Sequence, residues 1–116
     1  MAITTISKNS KDSKQTADNN KQLIYVIEDN VLQREMLKDH LAFKISGFEI
    51  KAFETGEKCL EAIGSDKPVL AFIDFHLNSI HKKAMNGVQV MRKLKTLVPK
   101  CECVMISDDK IGRAHV

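Results

Sequence analysis

The chain has 116 residues, enough for one domain with one core, and its 43% hydrophobic and 28% charged content is ordinary for a globular protein. No apolar run approaches the length of a membrane-crossing helix, and the N-terminus carries no apolar core of signal-peptide length, so nothing suggests export or membrane insertion and a cytoplasmic location is expected. The net charge of +3 lies largely in the N-terminal segment, where Lys8, Lys11, Lys14 and Lys21 stand against Asp12 and Asp18; no basic face remains to argue for nucleic acid.

Residues 1–21 are rich in Ser, Thr, Asn, Lys and Asp and have almost nothing to bury. They are expected to form a disordered polar tail. The domain begins with Leu23-Ile24-Tyr25-Val26-Ile27, an unbroken apolar strand that ends at Glu28-Asp29-Asn30. Asn30 and Gln33 have the spacing of a capping box. Leu32, Met36, Leu37 and Leu41 then recur at helical spacing, and Gly47 is expected to stop that helix. Phe48 to Phe53 alternates in polarity and reads as a half-buried edge strand. Thr55 can cap a short helix with Cys59, Leu60 and Ile63 facing inward.

Val69-Leu70-Ala71-Phe72-Ile73 is a second unbroken apolar run, expected to be a strand buried on both faces, and it delivers Asp74 at its end. A polar loop follows over residues 76–85. Asn86 and Gln89 repeat the capping-box spacing, and Val88, Met91, Leu94 and Val98 form an apolar stripe. Val104-Met105-Ile106 is a fourth short strand, ending at Ser107. Cysteines 59, 101 and 103 are odd in number, so a disulfide framework is not expected. Cys101 and Cys103 read as small buried hydrophobes on one strand face.

Alternation of strand and helix with short connections implies right-handed βαβ units, hence an α/β, doubly wound parallel sheet. Glu28, Asp29, Asp74 and Ser107 then fall on one edge, where a reversal of winding between the first and third strands opens a crevice. Clustered carboxylates repel, and a hard divalent cation such as Mg2+ relieves the repulsion with oxygen ligands. Such a site can align a phosphoryl group with a carboxylate nucleophile, and Ser107 can hydrogen-bond a phosphoryl oxygen. Taken singly, Glu28-Asp29 could be helix N-terminal acids, Asp74 a turn cap and Ser107 a loop residue. Only their convergence points to chemistry.

The ordered set Ile24-Tyr25-Val26-Ile27-Glu28-Asp29-Asn30, Ala71-Phe72-Ile73-Asp74, Met85-Asn86-Gly87 and Val104-Met105-Ile106-Ser107 resembles the receiver domains of two-component response regulators, over about residues 22–109. The resemblance implies a flavodoxin-like sheet, here of order 2-1-3-4 with the family's fifth strand and last helix missing. It implies that Asp74 accepts a phosphoryl group from a sensor histidine kinase or a histidine phosphotransfer protein. By the same resemblance Glu28, Asp29, Asp74 and the backbone carbonyl of His76 hold Mg2+, and Ser107 is the switch hydroxyl.

Two departures stand out. The loop Asn78-Ser79-Ile80-His81-Lys82-Lys83-Ala84 is longer than the family's usual turn. The lysine that ends the family's fifth strand has no counterpart, since Lys110 comes too soon. Residues 110–116 show no strand or helix pattern, and Ile111 to Val116 is what a common sequencing adapter would encode. The chain is therefore expected to be a C-terminally truncated fragment read through into adapter, which a genomic stop codon directly after Val116 would disprove.

Three rival readings remain. A receiver-like interaction module that takes no phosphate is left open by the absent lysine. A haloacid-dehalogenase-type phosphatase would need a second Asp two residues after the nucleophile, where His76 stands. A flavodoxin-like flavin site would need a phosphate loop after the first strand, where the acidic Glu28-Asp29 repels phosphate.

Overall fold

In the computed structural model, which describes residues 21–107, seven elements follow one another: β1 (Gln22–Ile27), α1 (Val31–Lys44), β2 (Phe48–Phe53), α2 (Gly56–Ala62), β3 (Pro68–Asp74), α3 (Gly87–Leu97) and β4 (Glu102–Ile106). The expectations for residues 1–20 and 108–116, including the adapter-like ending, lie outside the described residues. All strand pairs are parallel, and the sheet has the order β2-β1-β3-β4. This is the doubly wound, flavodoxin-like arrangement expected from the pattern. The chain moves outward from β1 to β2, then crosses back over β1 to β3. That reversal places the crevice between the carboxyl ends of β1 and β3. Among the described residues no helix is long and apolar enough to cross a membrane.

Unbroken apolar runs became the central strands because both of their faces are available for burial. Ile24, Tyr25, Val26 and Ile27 are fully buried in β1. One face of the sheet, with Tyr25, Ile27, Ala71, Ile73 and Met105, packs against α2 and α3 through Cys59, Val90 and Leu94. The other face, with Ile24 and Val26, packs against α1 through Leu37 and Leu41.

Several local expectations need correction. β3 is not buried on both faces: Leu70 and Phe72 are only half-buried, because α1 covers the β1–β2 half of that face and no other described helix lies over the rest. Leu32 and Met36 do not face the core; they are exposed together with Phe43, which is 87% exposed. Positions 32, 36 and 43 share one side of α1, whereas Leu37 and Leu41 lie on the side that meets the sheet. Gly47 does not terminate α1, which ends at Lys44 with Ile45 as its C-cap. Gly47 instead adopts φ +87° immediately before β2, a left-handed conformation that suits glycine.

The two capping predictions came out differently. At α3 the box is complete: the Asn86 side chain accepts from Gln89 N–H at 2.9 Å, and Gln89 Oε1 accepts from Asn86 N–H at 2.9 Å. At α1 the Asn30 side chain accepts from Gln33 N–H at 2.9 Å, but Asn30 N–H donates to Glu28 Oε2 at 3.2 Å. A carboxylate of the crevice has taken the place of the Gln33 side chain. The expected stripe on α3 is centred differently as well, with Val90, Leu94 and Val98 buried and Val88 and Met91 packed at the edge.

Candidate functional site

Each strand end delivers its polar residue to the same edge. Asp74 is the last residue of β3 and pairs in register with Ile106 of β4. Phe75 N–H donates to Ile106 O at 2.7 Å, which ties the chain to β4 just after the aspartate. Ser107 directly follows β4, one residue beyond the partner of Asp74, and is half-buried. On the other side of the crevice, Glu28 N–H donates to Phe53 O at 3.0 Å, and Arg34 Nη1 donates to Glu28 O at 2.8 Å. These main-chain bonds fix where β1 hands over to α1, and with it the direction of both acids.

Glu28, Asp29 and Asp74 converge. They are 4%, 8% and 5% exposed, so all three carboxyls are buried. Each offers one oxygen, and these oxygens lie within 4.8 Å of one another. Burying carboxyls this close is unfavourable to the ionised state. Burial pushes the Glu28 carboxyl up from its ordinary 4.5 to about 8, against the lowering effect of the Asn30 N–H, with repulsion from Asp74 and Asp29 adding to the rise. Asp74 is also raised, first by burial, although the His76 N–H bond and a hydrogen bond from Glu28 act in the opposite sense. Burial and mutual repulsion thus act in the same sense on Glu28 and Asp74, favouring their neutral forms in the absence of a cation. The groups acting on both residues are carboxyls and backbone amides, and Arg34 is committed to a carbonyl. A buried set of three oxygens with no basic side chain in its bonding among the described residues fits a small divalent cation.

The segment after Asp74 closes one side of the pocket. His76 N–H donates to Asp74 Oδ1 at 3.1 Å. The His76 carbonyl, the fourth expected metal ligand, accepts from Ser79 Oγ at 2.9 Å and from Ser79 N–H at 3.3 Å. Ile80 N–H donates to Asp29 Oδ2 at 3.1 Å, bridging 51 positions of sequence. Leu77, placed by sequence in a polar loop, is fully buried in the core and anchors the segment. The rings of His76 and Phe75 meet edge to face at 4.9 Å. Farther along, Met85 N–H donates to Glu57 Oε2 at 3.0 Å, so the loop spans from β3 to α2. The side chains of His76, His81, Lys82 and Lys83 are exposed.

Gly87 closes the floor of the site. Its N–H donates to Phe75 O at 3.2 Å, and a Cβ there would collide with the Asp74 carbonyl and lie 2.9 Å from Phe75 Cα. The start of α3 can thus approach the strand end only because residue 87 has no side chain. Sequence reading collected Asp74, Glu28, Asp29, Ser107 and His76 at this edge, and the structure brings all of them there. It missed Ser79, Ile80 and Arg34. Ile80 contributes only its main-chain N–H, and the Arg34 side chain meets a main-chain carbonyl, so neither pairing is marked by two residue types; the unusual loop length was the one available hint.

A doubly wound sheet with three buried acids at its switch point defines an α/β module whose ligand-binding edge is acidic. The particular family follows from comparison: the chain matches the response regulator receiver domain over residues 24–114 and belongs to that family, whose members serve two-component signalling. Among solved structures it is similar to a CheY-like receiver domain protein from Methanospirillum hungatei, with 23% identity and a TM-score of 0.62 over 74% of this chain and 63% of that one. It is similar to the receiver domain of NtrX from Brucella abortus, with 26% identity and a TM-score of 0.60 over 71% and 64% of the two chains. It is also similar to TrrA from Thermotoga maritima, solved in complex with Mg(2+)-BeF, with 23% identity and a TM-score of 0.62 over 74% and 69%. A cyclic di-GMP phosphodiesterase of Thermotoga maritima is 30% identical over 84 residues, 72% of this chain; the chain spans 20% of that relative's length.

Proposed function

We propose that this receiver domain accepts a phosphoryl group on Asp74 from a phosphohistidine of a sensor histidine kinase or histidine phosphotransfer protein. The observation that carries the reading is the buried convergence of Glu28, Asp29 and Asp74 at the β1–β3 crevice. We assign Mg2+ to Glu28, Asp29, Asp74 and the His76 carbonyl; TrrA, a similar fold, was solved with Mg(2+)-BeF. When bound, the ion supplies positive charge that offsets the negative charge of an incoming phosphoryl group.

The residues divide the remaining work. His76 N–H holds Asp74 Oδ1, which leaves Oδ2 as the attacking atom. That oxygen forms a bond to phosphorus as the phosphorus–nitrogen bond of phosphohistidine breaks, and the histidine leaves with the electron pair and takes a proton. Glu28, Asp29 and Asp74 would hold the ion, and its charge would favour their ionised forms. Ser107, next to Asp74 across β3 and β4, is proposed as the hydroxyl that responds to the phosphoryl oxygen. The product is a switch state of the domain and not a released compound, so the domain is read as a signalling module and not an enzyme in its own right.

The test is incubation of the 116-residue chain with a small-molecule phosphodonor, with and without Mg2+, followed by intact mass. The expected result is a single acid-stable, base-labile adduct that requires Mg2+ and is lost in Asp74→Ala. No adduct, or an equal adduct in Asp74→Ala, would favour the receiver-like interaction module that takes no phosphate.

A further inference from the structure

The segment after Asp74 does more than connect. Ser79 donates two hydrogen bonds, from its side-chain oxygen at 2.9 Å and its amide at 3.3 Å, to the same His76 carbonyl oxygen. A carbonyl has two lone pairs, so this oxygen is fully engaged within its own turn. One residue on, Ile80 N–H takes Asp29 Oδ2 at 3.1 Å. The turn is held in place from behind by Leu77, which is fully buried. Two of the four groups assigned to the ion are therefore already hydrogen-bonded by adjacent residues of one loop, and the Ser79 side chain itself is exposed to solvent.

We propose that Ser79 is an intramolecular competitor for the metal, its hydroxyl occupying the His76 carbonyl so that the ion binds only as that hydroxyl lets go. The inference rests on the Mg2+ assignment above and goes beyond it by naming a residue, outside the ligand set, that sets how tightly the ion is held. Asp29 need not let go of Ile80, because its second oxygen stays available. The His76 carbonyl has no spare lone pair while both Ser79 bonds persist. The hydroxyl is the partner to yield, since it rotates freely about its side-chain bond while the Ser79 amide is fixed by the turn. The cost of breaking one such bond is the size of an ordinary side-chain hydrogen bond, a roughly three- to tenfold effect on affinity. The consequence is a site tuned to be weaker than its ligand set would allow, and sensitive to anything that pulls on the loop.

The experiment is Mg2+ titration of the full chain by calorimetry at pH 8, on wild type, Ser79→Ala and Ser79→Thr. Ser79→Ala keeps the amide contact and releases one lone pair, so its Mg2+ affinity should rise roughly three- to tenfold. Ser79→Thr keeps the hydroxyl and should match wild type. The bond lost in Ser79→Ala is one that holds the metal-free turn, so without metal this variant should melt a few degrees below wild type and Ser79→Thr while binding Mg2+ more tightly, whereas a mere folding defect would lower both. Equal or weaker binding by Ser79→Ala, with wild type binding Mg2+ normally, overturns the competitor role and leaves the metal site standing. Absence of Mg2+ binding by all three overturns the metal assignment and the competitor with it.

Discussion

Removing divalent cations should make this protein lose stability as the pH rises from 5 to 8, the reverse of the usual carboxylate trend. The cause is Glu28, held at about 8 in the folded chain against an ordinary 4.5. Between those values the folded state keeps its proton while the unfolded state has lost it. The folded state thus binds more protons, and stability falls with pH across the window. The contribution is intact below 4.5 and fully lost above about 8. Asp74, also raised, adds in the same direction. Each pH unit of separation corresponds to about 1.4 kcal/mol, which sets a ceiling of about 5 kcal/mol for Glu28. Water at the mouth of the crevice screens part of this, and about 2–3 kcal/mol is expected. For a domain of this size that is a drop of roughly 10–20 °C in melting temperature. Thermal denaturation followed by circular dichroism, in chelator at pH 5, 6, 7 and 8, measures it directly. Glu28→Gln keeps the shape without the charge and should flatten the profile, being more stable than wild type at pH 8 and close to it at pH 5. A wild-type profile that is flat or rising, or a fall that persists in Glu28→Gln, would refute the reasoning.

Other consequences follow from the same contacts. Mg2+ affinity should rise by about tenfold per pH unit between pH 6 and 8, because one proton leaves Glu28 for each ion bound; calorimetry in buffers of different ionisation enthalpy would count that proton. Gly87→Ala should destabilise the domain by several kcal/mol, since its Cβ meets the main chain at Asp74 and Phe75, which cannot yield as a side chain could; denaturant unfolding reads the loss. Asn86→Ala removes one half of the α3 capping box and should cost about 1 kcal/mol by the same assay, with Asn86→Ser recovering most of it.

The strands and their end residues were legible because burial leaves a mark on residue type. Ile24 to Ile27 and Val69 to Ile73 are apolar without interruption, and the first polar residue after such a run falls where the strand leaves the sheet. The position of Asp74 as the last residue of β3 followed from that rule alone. The face of α1 was not legible for a specific reason. The helix carries two apolar stripes, Leu32-Met36-Phe43 and Leu37-Leu41, and periodicity cannot say which one meets the sheet. The half-covered side of β3 was misjudged because an apolar run states that a strand can be buried and not that a helix lies above it. The Ser79–Ile80 turn was invisible because main-chain amides donate two of its three bonds, and Ser and Ile in a loop announce nothing. The capping boxes show the limit from another side. The same Asn-x-x-Gln spacing completes at Asn86 and yields at Asn30, where a buried acid two residues earlier competes for the same N–H.

The measurement that bears most directly on the central claim is chemical location of the phosphoryl group. An aspartyl phosphate is an acyl phosphate, and borohydride reduces it to the corresponding alcohol, converting that one residue to homoserine. After treatment with a small phosphodonor and Mg2+, peptide mapping of the reduced protein should find homoserine at position 74 and at no other acidic residue. Homoserine at Glu28's neighbour Asp29, a scatter over surface aspartates, or none at all would contradict the assignment of Asp74 as the phosphoacceptor.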